Sequence, residues 1–203
     1  MLTYVDDLAF DMRYHTDTLR WQDLRSLDVV GGNKDHGVFY QPTQARTLRK
    51  VFSKLNLPRE GAFLDLGCGK GRTLILAAEY GYTHIIGVEF SNLLCRVAKI
   101  NMARYAERHP ASVEFLVVHA DAAGYAIQDA VSTIFLFNPF DEVIVAKVID
   151  NIKKSWRKVP RRLYVIYRHP LHRHLFDNSG VFHIIAEYSF SQCNYLVYAS
   201  TSD

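Results

Sequence analysis

Three glycines at alternate positions in Phe63-Leu-Asp-Leu-Gly67-Cys68-Gly69-Lys-Gly71-Arg-Thr follow an apolar run and lead into a helical one. Glycines so placed let the chain leave a buried strand, turn sharply and bring its backbone against a ligand, while a helix N-terminus offers N–H groups without helical partners. The spacing is neither the dinucleotide pattern G-x-G-x-x-G nor a phosphate loop, since Arg72 follows Gly71 where Ser or Thr after a lysine would be required. Twenty-two positions after Gly67 comes Glu89, in Gly87-Val-Glu89-Phe90-Ser at the end of the next apolar run, where its two oxygens can take both hydroxyls of a ribose. A third group, Phe135-Leu-Phe-Asn138-Pro139-Phe140, closes a later apolar run. There Asn138 can accept a hydrogen bond from an amine, Pro139 fixes a turn, and Phe140 offers an apolar or cation-binding face.

These residues need a scaffold that brings strand ends together. The periodicity predicts strands at 62–66, 84–89, 113–118, 131–137 and 162–168, with helices near 71–80, 92–108, 142–156 and 171–177. Alternation of that kind predicts right-handed βαβ units and a parallel sheet. Val181–Phe190 and Tyr195–Ala199 are separated by four residues, too few for a helical crossover, so the chain should end in an antiparallel hairpin. Residues 1–60 read as a helical extension or lid, with helices at Thr18–Leu27 and Thr43–Leu55 around a polar loop from Gly31 to Pro42, and residues 61–203 as the ligand-binding domain.

Asp65-Leu-Gly-Cys-Gly-Lys-Gly-Arg followed by Gly87-Val-Glu89 resembles the first two motifs of class I S-adenosylmethionine-dependent methyltransferases. The resemblance implies an α/β fold, a Rossmann-like three-layer sandwich on a mostly parallel seven-stranded sheet whose final inserted strand runs opposite to the rest. It also implies that Gly67, Gly69 and Gly71 pack against the methionine part of the cofactor and that Asp65 orients its amino group. Glu89 would hold the ribose, with Cys68, Phe90, Ala122 and Asn138 as further cofactor contacts and Asp121, in His119-Ala-Asp121-Ala, reaching the adenine. Asn-Pro-Phe is similar to the Asn-Pro-Pro-aromatic motif of members that methylate amino nitrogens, although the second proline is absent. G-x-G-K-G-R together with L-F-N-P-F resembles small bacterial members more closely. The expected activity is therefore methyl transfer from S-adenosylmethionine, without a metal, to an amine of a protein side chain or small molecule. An O- or C-methyltransferase, a nucleic-acid N-methyltransferase and a non-catalytic adenosyl-binding subunit are the alternatives. His36, Tyr40, Gln41 and Tyr167 are candidate substrate contacts.

Composition limits the partners. The 203 residues include 24 Lys and Arg against 21 Asp and Glu, 49% apolar residues and 13% aromatic ones, enough to fill one core and too many for a disordered chain. Apolar runs are of strand length, so no membrane span is expected, and the N-terminus lacks a signal-peptide pattern, which places the protein in the cytoplasm. The three cysteines are far apart in sequence and read as reduced thiols; Cys68, at a helix start, invites a lowered pKa, though the need for a small residue there explains it equally. Residues 151–203 carry a net charge of +5, which can meet nucleic acid but is explained as well by a solvated helix end. His169, His172 and His174 lack the partners of a metal site.

Overall fold

The computed structural model describes residues 2–19, 40–109, 113–137, 140–190 and 193–201. In chain order the elements are α1 (Leu2–Tyr14), α2 (Ala45–Lys54), β1 (Ala62–Leu66), α3 (Arg72–Tyr80), β2 (His84–Glu89), α4 (Asn92–Arg108) and β3 (Glu114–His119). A 3-10 turn (Ala122–Gly124), β4 (Val131–Phe137), α5 (Glu142–Lys158), β5 (Tyr164–Arg168), α6 (Arg173–Asp177), β6 (Phe182–Phe190) and β7 (Cys193–Ser200) complete the chain. The seven strands make one sheet of order β3-β2-β1-β4-β5-β7-β6. The first five are parallel, and β7 lies antiparallel between β5 and β6, with Tyr167 opposite Leu196 and Tyr188 opposite Tyr195. This is the expected doubly wound sheet with its inserted reversed strand.

Alternation along β1 divides the interior into two cores. Phe63 joins Leu48 and Phe52 of α2, Leu74 and Ile75 of α3 and Ala98 of α4 on one face. Leu64 and Leu66 join Val148 and Ile152 of α5 and Phe176 of α6 on the other. Each such buried aliphatic or aromatic side chain contributes about 1.5–3 kcal/mol. The segment before residue 61 is part of the first core, through Phe10, Tyr14, Ala45 and Val51.

The extension differs from expectation. Thr18 and Leu19 are not helical, and the remainder of the helix expected at Thr18–Leu27 falls outside the described residues. A helix instead occupies Leu2–Tyr14. Apolar periodicity misses it because its inward stripe, Asp7, Phe10, Asp11 and Tyr14, is half carboxylate, while Val5, Leu8 and Met12 face outward at 58%, 42% and 69% exposure.

Those inward acids meet Arg72, whose side chain is 1% exposed. Its Nη1 lies 2.7 Å from Asp7 Oδ1, its Nη2 3.8 Å from Asp11 Oδ1, and its Nε donates to Thr18 Oγ1 at 2.7 Å. Asp11 also accepts from the backbone N–H groups of Thr18 and Leu19, each at 2.8 Å. Lys70, equally buried, reaches Asp17 at 3.4 Å, and Asn101 accepts from the Asp17 N–H at 3.1 Å and donates to the Lys70 carbonyl at 2.9 Å. The two cations of the glycine loop therefore hold the N-terminal segment. Removing one partner of a buried ion pair leaves the other uncompensated, at about 3–5 kcal/mol. Arg72→Met should lower the unfolding free energy by about that amount in urea denaturation; a loss typical of an exposed pair, under about 1 kcal/mol, would show that the network is not a clamp.

Candidate active site

One crevice opens at the C-terminal edge of the sheet, where the strand order reverses between β1 and β4 and open α/β sheets receive ligands. Its first wall is Gly67, Cys68 and Gly69 with Asp65, Glu89 and Phe90. Phe135, Phe137 and Phe140 form the second, joined by His169 and Leu171 from the end of β5. Tyr40, Gln41, Pro42 and Thr43 close the side toward the N-terminal segment.

The glycine loop is shaped by close approach. Gly69 has φ +55°, and a Cβ there would run into the ring of Tyr40. Gly71, at φ +86°, caps α3, and a Cβ would lie 2.8 Å from the Met102 methyl. Glu89, 3% exposed, braces the loop: one carboxylate oxygen accepts the Gly69 N–H at 2.8 Å and the other the Ser91 N–H at 2.9 Å. A carboxylate offers about four acceptor positions, so beyond the N–H donors of Gly69, Ser91 and Phe90 it keeps room for a ligand hydroxyl. Burial raises the Glu89 carboxyl to about 7 despite those N–H donors. Asp65 is pushed well above the usual carboxylate range by burial and by Glu89, against a hydrogen bond from Thr73. Two buried, electron-rich carboxyls beside a bare backbone loop suit a ligand bearing hydroxyls and an ammonium group, which is what an S-adenosylmethionine site must provide.

The expected residues divide sharply. Asp65, Gly67, Cys68, Gly69, Glu89, Phe90, Phe140, Tyr40 and Gln41 share the crevice. Gly71 supports it from the helix cap. Asp121 and Ala122 are not in its lining: Asp121 caps the 3-10 turn by accepting the Ala123 N–H at 2.9 Å, and Ala122 is buried in the second core. Tyr167 requires correction as a substrate contact. Its side chain is 0% exposed and packs against Phe176 on the opposite face of the sheet, because alternation along β5 sends it away from the crevice. The Tyr40 hydroxyl is also committed, donating to the Thr18 carbonyl at 2.7 Å, so that residue presents its ring rather than its oxygen. The expectation of a lowered Cys68 pKa is reversed, since burial, Glu89 and Asp65 raise it. His36, Asn138 and Pro139 lie outside the described residues.

Other wall residues were not singled out from sequence. Phe137 falls within Leu136-Phe137-Asn138-Pro139-Phe140, and His169 carries no sequence signal beyond its nearness to His172 and His174. His169 has φ +48°, a left-handed conformation uncommon outside glycine, held by its N–H to the Asn194 carbonyl at 2.8 Å. Its ring stacks on Phe137 at 5.8 Å, and burial together with Arg168 lowers its pKa, which keeps it neutral near pH 7. Arg168, one of the basic residues of the 151–203 segment, is 1% exposed. Its Nη2 donates to Cys193 Sγ at 3.2 Å, while its Nε and Nη1 have no acceptor. Unmet buried donors cost about 1–3 kcal/mol each, and more when charged.

The carboxyl shifts carry a sign. Between the unfolded value near 4.5 and the folded value near 7, folded Glu89 retains a proton that the unfolded chain has released, so stability falls as pH rises through that window. Asp65 adds in the same direction. Urea denaturation of the cofactor-free protein should lose on the order of 3 kcal/mol between pH 5 and pH 8 through Glu89. Glu89→Gln should flatten that slope, whatever it does to stability at pH 5; an unchanged slope would place the titration elsewhere.

Comparison with known proteins agrees with this geometry. Residues 63–161 match the family model described as a methyltransferase domain. A protein-lysine N-methyltransferase of Saccharolobus islandicus is 28% identical over 122 residues, covering 59% of this chain and 73% of that protein. Among solved structures, the glycopeptide N-methyltransferase MtfA, complexed with S-adenosylmethionine, aligns over 77% of this chain and 94% of its own, with a TM-score of 0.57 and 14% identity. A protein of the NADB-Rossmann superfamily from Streptococcus agalactiae aligns over 81% and 71%, with a TM-score of 0.58 and 20% identity. The chain thus carries a methyltransferase domain over residues 63–161, on a seven-stranded Rossmann-like sheet of the kind found in class I S-adenosylmethionine-dependent methyltransferases.

Proposed function

We propose that the methyl group is delivered to an amine nitrogen of a protein side chain or small molecule. The observation that carries this reading is the continuity of the crevice: one cavity joins Glu89 and the glycine loop to an aromatic wall of Phe135, Phe137 and Phe140 with neutral His169 beside it. The cofactor, when bound, supplies an electrophilic sulfonium methyl group, and no protein-bound methyl intermediate is needed. What remains for the chain is to orient the acceptor, take its proton and exclude water. Aromatic faces suit an amine that arrives as a cation. His169 is the neutral base on that wall among the described residues, and it can take the proton that must leave before nitrogen has a free pair. Asn138 is our sequence-based choice for the group that aligns the amine. The relative named as a protein-lysine N-methyltransferase supports nitrogen as the acceptor atom.

On the cofactor side, the reading assigns Glu89 to the ribose and Asp65 with the loop to the methionine portion. We also read the loop from Gly31 to Pro42 as a lid, of which Tyr40, Gln41 and Pro42 form the described end and line the crevice. Among the described residues no helix is long and apolar enough to cross a membrane.

Incubation with methyl-labelled cofactor and cell extract, split into protein, RNA and small-molecule fractions, should put base-stable label into protein or small amines. Base-labile ester label, or label in RNA, would replace the nitrogen reading with the oxygen or nucleic-acid alternative; no transfer to any fraction would favour a binding subunit. With an acceptor in hand, Asn138→Ala should reduce transfer by about a hundredfold with cofactor affinity nearly intact, because only alignment is lost. Loss of binding in step with transfer would make Asn138 a cofactor contact instead. Amide exchange from Gly31 to Pro42 should slow on binding S-adenosylhomocysteine, and unchanged exchange would remove the lid.

A further inference from the structure

Arg168 ends β5 in register with Phe137 of β4, at the acceptor end of the crevice. Its guanidinium carbon lies 3.6 Å from the centre of the Phe137 ring, and Phe137 itself lines the crevice, so one aromatic ring separates a buried cation from the site. Three of the five N–H donors, on Nε and Nη1, have no acceptor. The remaining nitrogen is spent on a thiol, a weak acceptor, whose own Sγ–H donates to Gln44 Oε1 at 3.0 Å. Asp7 senses the charge of Arg168 but is itself tied to Arg72 at 2.7 Å and to the Ala45 N–H at 3.3 Å. A fork of donors kept dry, charged and unmet beside a binding site is prepared for a planar oxyanion.

We infer that Arg168 receives a carboxylate carried by the methyl acceptor, the Phe137 ring turning aside to admit it. The inference rests on the amine-methyltransferase reading and narrows it: the acceptor is an amine with a carboxylate near the nitrogen that is methylated, of the kind an amino acid or an acid-flanked side chain presents. The aromatic wall and His169 meet the amine end, and Arg168 meets the acid end. An acceptor without the acid leaves the guanidinium donors unmet and is discriminated against by that loss.

The probe is acetate. In protein labelled with nitrogen-15 arginine and saturated with S-adenosylhomocysteine, the Nε signal of Arg168 is the one missing from Arg168→Lys. Acetate should move that signal saturably, while chloride at equal ionic strength should not. Arg168→Met, checked for native circular dichroism, should bind S-adenosylhomocysteine within twofold of wild type; should it fail to fold, Arg168→Lys serves for the same measurement. A signal that acetate leaves in place, or that chloride moves equally, overturns the inference. So does a folded variant with weakened S-adenosylhomocysteine binding, which would give Arg168 to the cofactor's own carboxylate. Failure of wild-type protein to bind S-adenosylhomocysteine at all would strike the methyltransferase reading instead, so the two failures are distinguishable.

Discussion

The buried Arg72 guanidinium is the constraint around which the rest is arranged. It stands one residue beyond the last glycine of the loop, so the loop cannot adopt its tight path without carrying a full charge into the interior. That charge must be met, and the chain meets it from far away in sequence, with Asp7, Asp11 and Thr18. The consequence is mechanical. The N-terminal helix is held to the start of α3 by the same residue that follows the glycine loop, and Tyr40, bonded to the Thr18 carbonyl, is thereby set over Gly69. The lysine and arginine of the glycine loop both serve as internal anchors.

Around the crevice the protein concentrates groups that would be unfavourable elsewhere. Two carboxyls of raised pKa lie at the glycine-loop wall, and a guanidinium with open donors and a histidine in a left-handed conformation lie at the aromatic wall. Each costs folding free energy, and each is held in place: Glu89 by backbone N–H groups, Arg168 by its bond to Cys193 beneath the Phe137 ring. Polar groups fixed in a dry setting interact with a ligand more strongly than they would in water and need not reorganise when it arrives. The same economy explains the raised Cys68 thiol: beside Glu89 and Asp65 it serves as a small neutral packing residue.

Sequence alone determined the sheet and the glycine-loop wall of the crevice, because both rest on local signals. Strand and helix periods, glycine spacing and the acid after the second strand are readable within a few residues, and β1, β2, β4 and α4 occupy the expected ranges. The reversed β7 followed from a connection too short for a crossover. What only the tertiary structure decided are the partnerships between distant residues. The α1 helix escaped notice since its buried stripe is acidic, and acids face inward only when a cation such as Arg72 waits there. Tyr167 and Arg168 are neighbours in sequence, yet the pleat sends one into the second core and the other toward the crevice wall, and their side chains could be sorted only once it was known which face of β5 met the site. Asp121 fits a motif by position, and in the structure its carboxylate caps the 3-10 turn outside the crevice lining. Burial, which raises Glu89, lowers His169 and isolates Arg168, is a property of everything packed around a residue, and no window of sequence contains it.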